Sequence, residues 1–160
     1  MNKCWAPLIL FSGAALATAA MAQSAIEHHA WQRKEALVPL SRTAVAITGP
    51  IRVSANSVSF GGKSVPAKNL GLFWRVWGDD GMQHTAAIYQ LLADPGPLRQ
   101  GNSLCGSSER DRARFIVLWE SYDESSGGAV NMAAWSSETP PQDRDSAGLC
   151  ATFAYVWKVR

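Results

Sequence analysis

The sequence predicts an all-β protein, a small antiparallel barrel or sandwich of about eight strands with a short N-terminal helix. Two observations support this fold class. Short apolar stretches with period-two alternation follow one another from Thr43 onward, and clusters of Gly, Pro, Asn, Asp and Ser separate them. Strands joined by such short turns pair with their neighbours in the chain, which is typical of a β-meander.

The first 22 residues have the pattern of a secretory signal peptide. Lys3 gives a basic start, Leu8–Ala20 is an apolar run, and small residues end at Ala22 before the expected cleavage site. A run of about 13 residues is too short for a membrane anchor, which needs roughly 20. Cys4 precedes the run, so we expect no lipid anchor. The predicted product is a single domain, residues 23–160, located in the periplasm or secreted, without membrane insertion.

The charge of the mature chain argues against nucleic acid as a partner. Removing the signal peptide removes Lys3, so the formal charge falls from +2 to +1. A balance this even provides no whole-molecule attraction to nucleic acid or to anionic membranes.

The sequence predicts one N-terminal helix followed by a series of short strands. Apolar residues at loosely helical spacing favour a helix over Ser24–Leu37, which Pro39 ends. Strands are predicted at 44–48, 51–54, 57–60, 64–67, 72–77, 86–92, 114–121, 129–135 and 151–158. Gly61 and Gly62 suit the positive φ angles of a two-residue hairpin turn. Thr85–Ala93 fits a helix nearly as well as a strand, and only its flanking turns favour the strand.

Two cysteines remain after cleavage, Cys105 and Cys150, and an even pair in an oxidising compartment predicts a disulfide. The alternative is a thiol nucleophile or a pair of metal ligands. The pair lacks C-x-x-C spacing and no histidine is marked as its partner, so we favour the disulfide.

No motif for an enzyme, a metal or a cofactor stands out. The G-x-S-x-G elbow and the glycine-rich phosphate loop are both missing from the sequence. His28 and His29 are adjacent in the predicted helix and therefore point in different directions. His84 with Asp79 or Asp80 could form a catalytic pair, although no nucleophile is indicated. The turn containing the two aspartates supplies too few oxygens for calcium, so we expect no metal and no cofactor.

Alternation along the strands separates the tryptophans into core and surface. Trp119 and Trp157 share faces with other aromatic and apolar residues and are predicted to be in the core. Trp74 and Trp77 have opposite parity, so one of them should face outward. The surface around Trp74, Trp77 and the turn 78–81 is our second choice for a functional surface.

The first choice is formed by two polar loops, Gly106–Arg114 and Ser136–Leu149, which the disulfide should hold at one end of the scaffold. The candidate binding residues in or beside these loops are Arg110, Arg112, Arg114, Arg144 and Trp135. Arginine forks with an aromatic ring nearby suit an anionic or saccharide ligand. The alternative is a solvated surface that neutralises itself, because acidic residues are interleaved in the same loops.

The segments AITGPIRVS, SFGGKSVPA, IYQLL, GNSLCG and GLCATFAY lie between Val45 and Tyr155. With this succession, the chain resembles a group of short exported proteins from Proteobacteria that have no assigned activity. The GNSLCG and GLCATF elements, with one cysteine each, are the most specific parts of the pattern. The resemblance implies export and a cysteine pair, and it implies no catalytic residue.

Two functions remain open at this stage. The first is a non-enzymatic periplasmic binding or envelope-interaction domain whose partner is a protein or a saccharide of the cell envelope. Bacterial lysozyme inhibitors, which are also small, exported, disulfide-containing β-barrels, are an analogy of fold alone. The second is a hydrolase of envelope material that uses His84 and a nearby carboxylate as acid and base. The missing nucleophile favours the first.

Overall fold

The structure, a computed structural model, describes residues 35–106, 108, 110–123 and 127–157. In this part of the chain, eight antiparallel strands form one sheet that curls into a nearly closed barrel, which confirms the predicted fold class. In chain order they are β1 (Val38–Pro39), β2 (Ile51–Val53), β3 (Ser57–Phe60), β4 (Lys63–Val76), β5 (Gln83–Leu91), β6 (Phe115–Asp123), β7 (Gly127–Trp135) and β8 (Leu149–Val156). Their order in the sheet is β1-β8-β7-β6-β5-β4-β3-β2.

The two edges of the sheet meet at one pair of residues, which closes the barrel. Leu37, just before β1, donates its N–H to the carbonyl of Ile51 in β2 at 2.8 Å, and Ile51 returns a bond of 3.1 Å. On its other side β1 pairs with β8, where Val38 lies opposite Val156. The Leu37–Ile51 pair therefore connects β1 and β8, on one edge of the sheet, to the β2–β3 hairpin on the other edge.

The segment Ala44–Thr48 forms a helical turn of π type, so the predicted first strand is wrong. The turn begins where the Ser41 hydroxyl accepts the Ala44 N–H at 3.1 Å. It ends at Gly49, whose N–H bonds to the Ala44 carbonyl at 2.8 Å. These local hydrogen bonds use backbone groups that a strand would offer to a neighbour, and they override the β-propensity of the valine, isoleucine and threonine.

The hairpin at Gly61-Gly62 is confirmed, with φ angles of 57° and 97°. After it, β4 runs for 14 residues as one strand, where the sequence predicted two. A bulge between Asn69 and Gly71 bends this strand without ending it. Thr85–Ala93 proves to be mainly strand, since β5 covers Gln83–Leu91.

The signal peptide and most of the predicted N-terminal helix, residues 24–34, lie outside the described residues. The end of that helix is wrong, because Glu35 and Ala36 are irregular and Leu37 pairs with Ile51. Cys105 and Cys150 form a disulfide with 5.2 Å between their Cα atoms. In the ranges that the structure describes, no helix is long and apolar enough to cross a membrane.

The sheet buries both of its faces over part of its width. The barrel interior is filled by one set of alternating residues, which includes Tyr89, Leu118, Met132 and Tyr155. The residues that alternate with these point to the other side of the sheet and form a second buried cluster on the outer face of β5, β6 and β7. Its members are Trp77, Ala86, Ile88, Phe115, Val117, Trp119, Ala133 and Trp135. An outer face this apolar needs a cover, and the chain around it supplies one.

Candidate functional site

The cover of the outer face is built around two tryptophans. Trp77 and Trp135 pack edge to face, with ring centroids 6.3 Å apart and an interplanar angle of 81°. Both indole N–H groups are satisfied: Trp77 donates to the Phe73 carbonyl and Trp135 to the Ser146 carbonyl, each at 3.2 Å. Trp135 has no exposed surface. The prediction that it stacks on a ligand is therefore wrong, because its ring anchors the loop that follows it.

That loop, residues 136–148, separates Arg144 from the other predicted arginines. It leaves β7 beside Arg114 and crosses the outer face, so that the Arg144 N–H reaches the Val76 carbonyl at 2.9 Å. Gln90 of β5 pairs with Phe115 and Gln83 pairs with Val76. Seven residues of β5, or roughly 23 Å, thus separate the end of the sheet next to Arg114 from the end that Arg144 contacts. The predicted cluster of four arginines at one end of the scaffold is wrong for Arg144.

Arg112 and Arg114 remain together at the first end, where they line a small cavity of about 170 Å³ with Asp94 and Glu138. Arg114 Nη1 lies 3.4 Å from Glu138 Oε1. Arg110 is exposed in the same loop. Carboxylates that share the cavity reduce its attraction for an anion, as expected for a surface that neutralises itself. A binding role for these three arginines stays a prediction.

β5 and β6 separate over part of their length. These strands pair only from Ala86 opposite Trp119 to Gln90 opposite Phe115. Beyond that point β5 extends back to Gln83, while β6 continues to Asp123 in contact with β7. Because the β4–β5 hairpin separates from β6 here, the turn after β4 is free to fold over the outer face.

The turn after β4 borders a groove on the outer face, which we call the Trp119 groove. Its volume is about 310 Å³. Its residues are Ser41, Thr43, Trp77, Gly78, Asp79, Asp80, Trp119, Ser121, Asn131, Arg144, Thr152, Phe153 and Ala154. Ser121, Asn131 and Thr152 come from three adjacent strands and have the outward parity of the sheet. The guanidinium of Arg144 pairs with the carboxylate of Asp79 at one side.

A second cavity of about 460 Å³ adjoins the groove, and we call it the Glu120 pocket. Its residues are Asp80, Met82, His84, Glu120, Ser121, Tyr122, Gly128, Ala129 and Trp157. Asp80 and Ser121 line both cavities, so the two are neighbours across these side chains. Tyr122 and Met82 are largely exposed, and Trp157 is half-buried against the core.

The side chains of His84 and Asp80 are in hydrogen-bond contact beside the Glu120 pocket, with 2.8 Å between His84 Nε2 and Asp80 Oδ2. The other carboxylate oxygen of Asp80 accepts the Met82 N–H at 2.9 Å. That backbone hydrogen bond, helped by His84, lowers the pKa of Asp80 below its ordinary value. The side chain of Asp80 thus carries a full negative charge at neutral pH.

Part of this site was predicted from the sequence. Trp74 is 57% exposed and Trp77 is buried, which confirms that one of the pair faces outward, and Trp119 is in the core as predicted. The turn 78–81 was the second choice for a functional surface, and it borders both cavities. Ser121, Asn131 and Thr152 were missed. A signal for them does exist in the sequence. Each is a polar residue at an outward-facing strand position, and the other outward-facing positions nearby are apolar.

Within the described ranges, no three side chains of His, Cys, Asp or Glu come together as a metal site would require. Comparisons with protein families, with curated proteins and with solved structures found no match to this chain.

Proposed function

We propose that the protein is an exported, non-enzymatic binding domain of the cell envelope that holds a saccharide in the Trp119 groove. The observation that carries the proposal is the uncharged polar floor formed by Ser121, Asn131 and Thr152. Hydroxyl and amide side chains both donate and accept hydrogen bonds, as sugar hydroxyls require. The volume of about 310 Å³ is at the lower end of the range for ligand sites, which suits a ligand of one or two rings.

The floor is held in place by the sheet, which favours binding without rearrangement. Asn131 Nδ2 donates to Ser121 Oγ at 2.7 Å, so the amide orientation is fixed across β6 and β7. On the far side, the Ser41 hydroxyl accepts the Ala154 N–H at 3.1 Å and ties the chain after β1 to β8. Groups that are already ordered lose little entropy when a ligand binds.

Export is part of the proposal and rests on the signal-peptide pattern and on the disulfide, which is compatible with an oxidising compartment. The resemblance to short exported proteins points the same way. Mass spectrometry of the protein recovered from a bacterial periplasm should show a chain that begins at Gln23. A chain that retains the first 22 residues would contradict the processing step.

The binding test is an NMR titration of the protein with disaccharide fragments of peptidoglycan and with core oligosaccharides of the outer membrane. Amide shifts should concentrate at Ser121, Asn131 and Thr152. Thr152→Met places a longer, apolar side chain on the exposed floor and should weaken binding at least about tenfold, or 1.4 kcal/mol. Ser64→Met, at an exposed position of β4, is the matched control. Shifts that are absent, or equal in both variants, would reject the groove as the site.

A hydrolase is the second candidate, and the contact between His84 and Asp80 is the observation that favours it. A histidine oriented by a carboxylate can act as a general base, and Ser121 lines the same pocket. Against it, His84 Nε2 contacts Asp80 and not Ser121, so the base and the nucleophile of a catalytic pair are not joined by a hydrogen bond. Incubation with labelled peptidoglycan should release no fragments. Release that disappears in His84→Ala would replace the binding proposal with this one.

A further inference from the structure

The Glu120 pocket combines features that the saccharide proposal does not use. Two carboxylates, Asp80 and Glu120, line it together with the rings of Tyr122 and Trp157 and the thioether of Met82. The Trp119 groove also has acidic and aromatic residues at its sides, but it includes the guanidinium of Arg144, whereas neither arginine nor lysine is among the described residues that line the Glu120 pocket. The contrast indicates a ligand group of different chemistry.

Among the described residues, those that line the pocket include two carboxylates and neither lysine nor arginine. Asp80 is paired with His84, and Glu120 is exposed beside them. Arg75 lies opposite His84 in the β4–β5 register, but its guanidinium donates to the Trp74 carbonyl at 2.9 Å and does not line the pocket. Arg144 is held by Asp79 on the groove side. An anion entering the Glu120 pocket would therefore meet carboxylates.

We propose that the Glu120 pocket binds an organic cation, a primary or quaternary ammonium group. The carboxylate of Glu120 supplies the counter-charge, and the faces of Tyr122 and Trp157 supply cation–π contacts. The volume of about 460 Å³ exceeds that of the Trp119 groove, so the pocket has room for the substituents of a quaternary nitrogen. This site is separate in chemistry from the saccharide proposal and can stand if that proposal fails.

The test uses choline as the probe and 3,3-dimethyl-1-butanol, its uncharged carbon analogue, as the matched control ligand. Binding to the full-length exported protein is followed by NMR shifts of the Glu120, Tyr122 and Gly128 amides. Choline should bind at least about tenfold more tightly than the alcohol, because the two differ in charge and hardly in shape. Equal affinities would overturn the proposal.

Two substitutions test whether Glu120 and Tyr122 contribute to choline binding. Glu120→Gln keeps the size of the side chain and removes its charge, so choline should bind about tenfold more weakly, whereas Glu138→Gln at the other end of the barrel should leave binding unchanged. Tyr122→Leu should weaken binding about threefold without unfolding the protein, because Tyr122 is 81% exposed. Unchanged binding in Glu120→Gln would also overturn the proposal. Saccharide titration of the same variants should be unaffected, which keeps the two proposals distinguishable.

Discussion

Thr48 and Tyr155, 107 residues apart in the chain, share a buried hydrogen bond of 2.6 Å between their hydroxyl oxygens. Thr48 lies in the helical turn after β1 and Tyr155 near the end of β8. The Thr48 hydroxyl is also within hydrogen-bond distance of the Ala44 carbonyl, at 3.0 Å. This contact joins the helical turn to the last strand inside the barrel.

We expect Tyr155→Phe to lower the free energy of unfolding by about 1 kcal/mol, the usual net value of one intramolecular hydrogen bond. Thr48→Val should cost a similar amount, and the double variant should cost less than the sum of the two. Urea denaturation of the four proteins measures this coupling. Tyr122→Phe, at an exposed tyrosine, is the control and should change nothing. Strict additivity would show that the contact does not stabilise the fold.

The free energy of unfolding at alkaline pH should also depend on Tyr155. Burial raises the pKa of the Tyr155 hydroxyl, and the hydrogen bond with Thr48 opposes this only in part. Below pH about 10 the folded and unfolded states both keep this proton, and above it only the folded state does. The free energy of unfolding should therefore fall as pH rises above about 10, by up to ~1.4 kcal/mol per pH unit from this group. Denaturation curves of Tyr155→Phe should show a shallower fall.

The disulfide should account for a large share of the stability. It links two cysteines 45 positions apart in the chain, and the chain-entropy relation assigns about 4 kcal/mol to a loop of this length. We expect the double variant Cys105→Ser, Cys150→Ser to unfold at a much lower urea concentration than the oxidised protein. Reduction of the wild type should give the same shift. A difference below about 1 kcal/mol would mean that native contacts already order this loop.

Gly148→Ala should be strongly destabilising. Gly148 has a φ angle of 90°, and a Cβ there would lie 2.8 Å from the backbone nitrogen of Ser137. We expect a loss of about 2 kcal/mol or more, because neither the φ angle nor the Ser137 backbone can adjust freely. Gly128→Ala is the matched control, since its φ is not positive and a Cβ there meets no atom within 4 Å. Thermal denaturation of the two variants separates them.

The arginines should differ in their effect on saccharide binding. Arg144 lines the Trp119 groove, whereas Arg112 lies in the cavity at the other end of β5. We expect Arg144→Ala to weaken saccharide binding roughly tenfold through loss of a hydrogen bond from a charged group, and Arg112→Ala to leave it unchanged. NMR titration of both variants measures this. Equal effects would place the ligand elsewhere.

The fold class could be predicted because the strands from Ile51 onward combine alternation with strong turn residues, and these local signals agree with the tertiary structure. The Ala44–Thr48 segment could not, since its β-branched residues favour a strand and only the Ser41 side chain and the barrel contacts make it helical. Val38–Pro39 was also missed. A strand of two residues that contains proline has no pattern of its own.

The candidate site was harder to predict because it depends on how one loop crosses the sheet. Arginine and tryptophan in polar loops suggested a ligand surface, but Trp135 is recruited to cover an apolar outer face. That face is visible in the sequence only as strands that are apolar on both parities, such as β6 from Phe115 to Trp119. The course of the loop over it is fixed by single contacts, such as Trp135 with the Ser146 carbonyl, which alternation does not encode.

The pairing of β1 with β8 has a consequence for the order in which the chain acquires its structure. Val38 and Val156 lie at opposite ends of the described chain, yet they are neighbours in the sheet, and Cys150 is also in the last strand. A growing chain can form the successive hairpins early, but its ring of strands stays open until β8 has been made and can pair with β1. Contacts of such large sequence separation form slowly. Closure of the barrel is therefore a late step in folding, because β1 gains its partner only when β8 is present, even if every earlier hairpin has already formed.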